Sequence, residues 1–286
     1  MDTQQNCGTG HEWSGIDCHV HVFPSSRDAA PPRFPHPEEP ASLAQVEALA
    51  RSYNIRRYVL TQPSFLGFDN SYLLNELADR PHDLRGVVWL GSDSDPQQLS
   101  HLARLGVAGL RFPMFYSCEM PNWDAYTDLV SAAASCGVHV ELGLTGCDLI
   151  QAAQFVLDRG ANVVVAHLGM FDSETGPDND LEFAALLELA ATGRIWIKLS
   201  APYRTSASHA ERACDRLVQA IGPERLLWGS DWPHVGARLN RITTYAETVE
   251  WFYRCVPDTN ARRSILETCP TTLYRFPGGL QQVRSR

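Results

Sequence analysis

No Cys-x-x-Cys pair occurs in this chain, although it holds 8 cysteines, at positions 7, 18, 118, 136, 147, 214, 255 and 269. That spacing argues against a zinc knuckle or a thioredoxin-like redox motif. The opening stretch MDTQQNCGTGHEWSG lacks the apolar core of a secretory signal, so the scattered cysteines read as reduced thiols, mostly buried as small apolar groups. No apolar run approaches the roughly 20 residues that a membrane-spanning helix needs. A basic stripe is missing too: 24 Lys and Arg stand against 33 Asp and Glu, a formal net charge of -9, which speaks against a nucleic-acid surface. Acidity of the whole does not exclude an anionic ligand, because a pocket can be cationic locally. No G-x-G-x-x-G or phosphate loop follows the first apolar stretch, which weakens the case for an open, doubly wound nucleotide-binding sheet. These absences leave the expectation of a soluble, cytoplasmic protein with no membrane or nucleic-acid partner; whether it forms a homo-oligomer stays open.

What is present is an ordinary globular content, 44% hydrophobic and 20% charged, enough for a sizeable core. After a polar tail over 1–15, short β-branched stretches alternate with longer helical patterns. The strand candidates are IDCHVHVF (16–23), RYVLTQ (57–62), LRGVVWL (84–90), VAGLRF (107–112), VHVELGL (138–144), NVVVAHLG (162–169), RIWIKLS (194–200) and RLLWGSD (225–231). Between them lie patterns such as SLAQVEALARSY, WDAYTDLVSAAASCG and LEFAALLELAATG, many closed by Gly or Asn, as helix ends commonly are. Eight nearly continuous apolar strands alternating with helices predict an α/β protein, a single-domain (β/α)8 TIM barrel over 16–286. The proline-rich loop 24–40 would follow the first strand on the face where a barrel keeps its active site, as a lid, a rim or a plain surface loop.

In such a barrel, chemistry gathers at the C-terminal ends of the strands. Those ends carry His19 and His21; Gln62 and Ser64; Arg111; His139 and Glu141; His167; Lys198, Ser200, Tyr203 and Arg204; then Asp231, Trp232 and His234. Strand alternation predicts Asp17, His19 and His21 on one face. Three ionisable groups in a strand otherwise built from Ile, Val and Phe are costly in a packed barrel unless partnered. A single histidine there is more often a satisfied core residue. Two histidines from strand one, His167 from strand six and Asp231 from strand eight make a more specific set, able to meet in one mouth.

IDCHVHVF, VVAHLG and LLWGSDWPH together resemble the amidohydrolase superfamily, in its amidohydrolase-related branch. LTQPSFLGFDNSYLL, GVAGLRF, IKLSAPYR and RRSILETCPTTLYRF resemble most the 2-pyrone-4,6-dicarboxylate lactonases and related lactonases. In the wider superfamily, metal sites draw on the His pair, a strand-five His or strand-four Lys or Glu, further His ligands and the strand-eight Asp. Here strand four offers Arg111, a permanent cation with no acceptor, and His139, two residues before Glu141, lies too deep. The remnant is His19, His21 and Asp231 with His167 or Glu141. The resemblance to the pyrone-dicarboxylate lactonases implies hydrolysis without a metal, so no cofactor is favoured. The alternative is a single divalent metal, Zn2+, held by His19, His21, His167 and Asp231, since three protein ligands and a water make a catalytic zinc site.

The expected activity is that of a hydrolase opening a small-molecule lactone, a carboxylate-bearing cyclic ester. Asp231 would activate water, its basicity raised by partial desolvation beside Trp232. His19, His21 and His167 would polarise the carbonyl, or zinc would do so in the metal version. Arg111 and Arg204 would anchor a substrate carboxylate, with an internal ion pair to Glu141 or Asp231 as the other reading of Arg111. Tyr203, Ser200, Gln62, Glu141 and His234 complete the expected substrate pocket, whereas Lys198 reads as facing outward. The lactonase group carries more arginine and tyrosine in the loops after strands one and four than this chain does. PMFYSCEMPNW has no second arginine, and the loop after strand one has Arg27 and Arg33 but no tyrosine. That departure points to a less anionic, more apolar or aromatic lactone. A second reading is a zinc-dependent decarboxylase of an aromatic or muconate-like acid.

Overall fold

The computed structural model describes residues 14–25, 37–113, 121–235 and 243–277. Most of the 1–15 tail and of the 24–40 loop, with Arg27 and Arg33, lies outside those residues, as does most of the loop after strand four. Eight parallel strands follow one another in chain order around a nearly closed barrel: β1 (Gly15–Val20), β2 (Ile55–Thr61), β3 (Leu84–Val88), β4 (Val107–Phe112), β5 (His139–Leu142), β6 (Val163–Val165), β7 (Ile195–Leu199) and β8 (Leu226–Trp228). Each pairs with the next in parallel. Helices α1 (Leu43–Ala50), α2 (Ser71–Asp79), α3 (Gln98–Arg104), α4 (Thr127–Cys136), α5 (Gly146–Asp158), α6 (Leu181–Ala190), α7 (Ala207–Ile221) and α8 (Tyr245–Cys255) form the outer layer.

The helices begin and end where their side chains can satisfy the free backbone groups. Ser42 and Gln45 form a capping box on α1, Thr244 and Glu247 another on α8, and Gly137 closes α4 in the left-handed conformation. On α7 the buried residues are Ala210, Ala213, Cys214, Leu217 and Ile221, a stripe at helical spacing that packs on the sheet. Inside the barrel, Ile16, Cys18, Val59, Val87, Val164 and Leu227 pack with Cys269, Tyr274 and Phe276 from the C-terminal segment. Arg85 fastens that segment, donating to the carbonyls of Tyr274 (3.1 Å) and Arg275 (2.7 Å). The barrel floor is therefore sealed, and any mouth must open at the other end.

Three strands depart from the sequence expectation where the site is built. β1 is irregular in register between Asp17 and Val20, so simple alternation fails. Asp17 turns its carboxylate to the hydroxyl of Tyr245 on α8 (3.1 Å) and the Ser230 amide (2.9 Å), while His19 enters the barrel. β6 ends at Val165 and β8 at Trp228, because the chain leaves the ladder there. His167 and Leu168 have φ of 46° and 59°, and Asp231 has φ of 60°.

Candidate active site

Closure between β8 and β1 brings the key groups together. The Asp231 amide donates to the His19 carbonyl and the His21 amide to the Trp232 carbonyl, both at 2.9 Å. Gly229 permits this approach: a Cβ there would stand 2.6 Å from His19 Cβ and 2.9 Å from its amide nitrogen, closer than packed carbon atoms can approach. His19 Nε2 then lies 3.2 Å from His21 Nε2 and 3.4 Å from Asp231 Oδ1, and His21 Nε2 also lies 3.4 Å from Asp231 Oδ1. The His167 ring stands 4.9 Å from that of His19, with Nδ1 2.9 Å from the Ser200 hydroxyl. On its other oxygen Asp231 accepts from the Tyr203 hydroxyl and meets Arg204 Nη2 at 3.5 Å. His234 donates its amide to the Asp231 carbonyl at 2.8 Å and packs edge-on to Tyr203.

The backbone here is under strain. Among the described residues, eight non-glycine positions have positive φ, and His167, Leu168, Met170, Ala201, Asp231 and His234 all follow β6, β7 or β8. Each such residue costs about 1–3 kcal/mol and persists where the surroundings over-determine it. Such clustering is typical of sites whose side chains must be aimed.

A second tier lies beneath. Lys198 is fully buried, with Nζ 2.6 Å from Glu141 Oε2 and 3.1 Å from His19 Nδ1. This corrects the outward placement expected from strand alternation. The signal was available in another form: Lys198 is the only lysine in the chain, beside 23 arginines, and it sits in the middle of an apolar strand. A lysine there needs an internal acceptor, and Glu141 supplies one.

Of the remaining candidates, Gln62 and Arg111 are engaged in holding the backbone. The Gln62 amide donates to the carbonyls of Gly67 (3.2 Å) and Asp69 (2.7 Å), and its own carbonyl accepts from Arg111 Nη1. Arg111 is 3% exposed and pairs in register with Glu141 on β5, whereas Arg204 is 25% exposed. His139 lies deep, edge-on to Tyr274, and neither ring nitrogen has a hydrogen-bond partner among the described residues.

Burial and the flanking charges set the electrostatics. Burial first, then Lys198, hold the His19 imidazole well below its ordinary range. His167 is pushed down to about 3, again by burial first and then by Arg204 and Arg111, against the pull of Asp231. Burial alone would raise Asp231. The imidazole of His167, the His21 ring and the Arg204 guanidinium outweigh it and hold the carboxyl well below the usual range. The expected rise in Asp231 basicity is thus reversed in direction, because its partners stabilise the anion more than burial penalises it. Glu141 behaves alike: burial is outweighed by Lys198 and Arg111, and the carboxylate is favoured.

A ligand atom from each of His19, His167 and Asp231 lies within 4.8 Å of the others, close enough in spacing for one ion. Their hydrogen bonding fits an ion poorly. Lys198 stands against His19 and Arg204 against Asp231, so cations already neighbour two of the three groups that would hold another.

The amidohydrolase family model matches residues 16–276. A 2-pyrone-4,6-dicarboxylate hydrolase of Comamonas testosteroni is 27% identical over 274 residues, covering 91% of this chain and 89% of that protein. A 4-sulfomuconolactone hydrolase of Rhizobium radiobacter is 29% identical over 283 residues, covering 90% and 89%. A Pseudomonas putida crystal structure, assigned as a 2-pyrone-4,6-dicarboxylic acid hydrolase, superposes with a TM-score of 0.83 at 32% identity, covering 92% of this chain and 98% of that one.

Proposed function

This chain belongs to the amidohydrolase family, and we propose that it is a lactone hydrolase that works through its own side chains without a metal. The observation that carries this reading is the buried Asp231 carboxylate, ringed by His19, His21 and His167 and steadied by Tyr203 and Arg204. Two relatives in sequence, a 2-pyrone-4,6-dicarboxylate hydrolase and a 4-sulfomuconolactone hydrolase, are named for lactones that carry carboxylate or sulfo groups.

In this reading, substrate docks with its ring carbonyl against the imidazole wall and a carboxylate towards Arg204 at the rim. Asp231, ionised throughout the neutral range, accepts the proton of the attacking water. The imidazole N–H groups stabilise the oxyanion as the tetrahedral carbon forms. Collapse breaks the ring ester bond, the departing oxygen takes up the proton that Asp231 accepted, and the new carboxylic acid releases its own to solvent. The products are one carboxylate and one hydroxyl, or its keto tautomer where the alcohol is an enol. Metal-assisted hydrolysis and zinc-dependent decarboxylation both need an ion held among His19, His167 and Asp231, where His19 and Asp231 already have Lys198 and Arg204 beside them.

A panel of carboxylated and aromatic lactones, assayed on protein whose metal content is measured in parallel, tests this. We expect ring opening with uptake of one water oxygen, unchanged by chelator. Chelator-sensitive release of CO2, with zinc near one per chain, would replace this reading by the decarboxylase.

A further inference from the structure

The two histidines of the first strand differ in what lies behind them, and the difference fixes where their protons sit. His21 Nδ1 lies 2.7 Å from the Thr61 carbonyl oxygen. A carbonyl only accepts, so Nδ1 of His21 carries the hydrogen and its Nε2 presents a lone pair. His19 Nδ1 faces Lys198 Nζ at 3.1 Å, with Glu141 Oε1 farther off at 3.6 Å, beyond hydrogen-bond distance. An ammonium only donates, so Nδ1 of His19 is the acceptor and its Nε2 carries the hydrogen. The two Nε2 atoms face each other at 3.2 Å, and this assignment makes them a matched pair, with His19 donating and His21 accepting. The opposite assignment on His19 would set an N–H against the lysine.

We propose that Lys198 is a positioning residue that holds His19 as the Nε2–H tautomer, so that His19 is the carbonyl-polarising donor while His21, held in the other tautomer by Thr61, is a proton acceptor beside Asp231. Glu141 makes this possible by accepting from Lys198 at 2.6 Å, which orients the ammonium in a buried place. The proposal rests on the lactonase reading for its kinetic consequence but not for its tautomers. It divides the labour of the histidine pair: on docking, the His19 Nε2–H turns from His21 to the substrate carbonyl, and the freed His21 Nε2 meets the water beside Asp231. It also gives the poor fit to a metal a local cause, since a neutral His19 locked this way has no lone pair at the atom facing Asp231.

The single lysine makes the test direct. In full-length protein labelled at the lysine Nζ and histidine ring nitrogens with 15N, one side-chain lysine signal is expected. Long-range 1H–15N spectra should show His19 as Nε2–H and His21 as Nδ1–H, assigned by the loss of one ring each in His19→Asn and His21→Asn. A His19 ring protonated at Nδ1, or two rings of the same tautomer, overturns the proposal. Lys198→Met leaves Glu141 unpaired and can fail to fold, so the kinetic arm uses Lys198→Met/Glu141→Gln. That variant should lose on the order of a hundredfold in kcat, the scale of an orienting partner, with KM changed by less than about threefold, and its His19 should lose the Nε2–H preference. A folded double variant that keeps both kcat and the Nε2–H ring overturns the role of Lys198. If wild-type protein opens no lactone, the function reading fails while the spectra still decide the tautomers.

Discussion

Asp231 and Arg204 are close enough to act on one another, yet their roles separate in a kinetic experiment. Asp231 is 2% exposed and is the acceptor on which the imidazoles, Tyr203 and Arg204 converge. Asp231→Asn should keep the fold and lower kcat by about 10²–10⁴-fold, the usual share of a general base, measured by steady-state rates beside a circular-dichroism spectrum. A variant as active as wild type would remove the base assignment. Arg204, with a quarter of its side chain exposed at the rim, should act on binding: Arg204→Met raises KM for a carboxylated lactone by about tenfold or more, the scale of a lost charge-assisted hydrogen bond. Arg111→Met should instead cost stability, because that buried guanidinium holds the Gln62 carbonyl and stands beside Glu141. Equal KM effects and equal melting temperatures in the two variants would refute this division of labour.

At the scale of elements, the seam between β8 and β1 does most to assemble the site. Gly229→Ala places a methyl group 2.6 Å from His19 Cβ, so β1 must shift and carry His19 and His21 with it. Overpacking of this kind costs about 1–3 kcal/mol. We expect a lower urea midpoint and a drop in kcat well beyond what that stability loss explains; an unperturbed kcat would mean that the seam does not aim the histidines. The eight strands and their order were legible in the sequence because apolar, β-branched stretches repeat at a helical interval. The histidine pair, His167, Asp231, Tyr203 and Arg204 were legible because a barrel collects polar residues at its strand ends. What was hidden has physical causes. The register irregularity of β1 breaks strict alternation, and the Asp17 carboxylate accepts from Tyr245 and from the His19 amide instead of meeting the His19 ring. The left-handed backbone at His167 and Asp231 shortens β6 and β8 without any glycine to announce it. Lys198 was misread because alternation alone cannot say which face holds a partner, and Glu141 lies 57 residues away in the chain.

Across the whole molecule, the same burial that tunes the site makes the fold sensitive to acid. His139 and His167 are both pushed down to about 3 by burial, from an ordinary 6.5, and His19 is lowered as well. Between pH 3 and 6.5 these rings are therefore neutral in the folded protein and take up protons on unfolding, so their contribution is complete above pH 6.5 and is lost as pH falls towards 3. Asp17 works the other way: burial raises it to about 6 from 3.8, so the folded state is the one that keeps this proton between those values, and stability falls as pH rises through that window. Four lowered imidazoles, His234 among them, against two raised carboxyls, Asp17 and Glu76, leave a net uptake of protons on unfolding near pH 5. Each net proton is worth about 1.4 kcal/mol per pH unit. Urea titrations at pH 7, 6 and 5 should show stability nearly level above pH 6.5 and falling below it, by roughly 1–3 kcal/mol per unit. His139, buried against Tyr274 at the start of β5 and outside the ring of groups around Asp231, is the ring to remove. His139→Leu should lessen the slope by about one proton while leaving the pH profile of kcat in place. A slope unchanged in that variant would mean that the acid sensitivity arises elsewhere. A kcat profile that moved with it would mean that His139 reaches the site through Glu141 and Lys198, whose charges act on its ring.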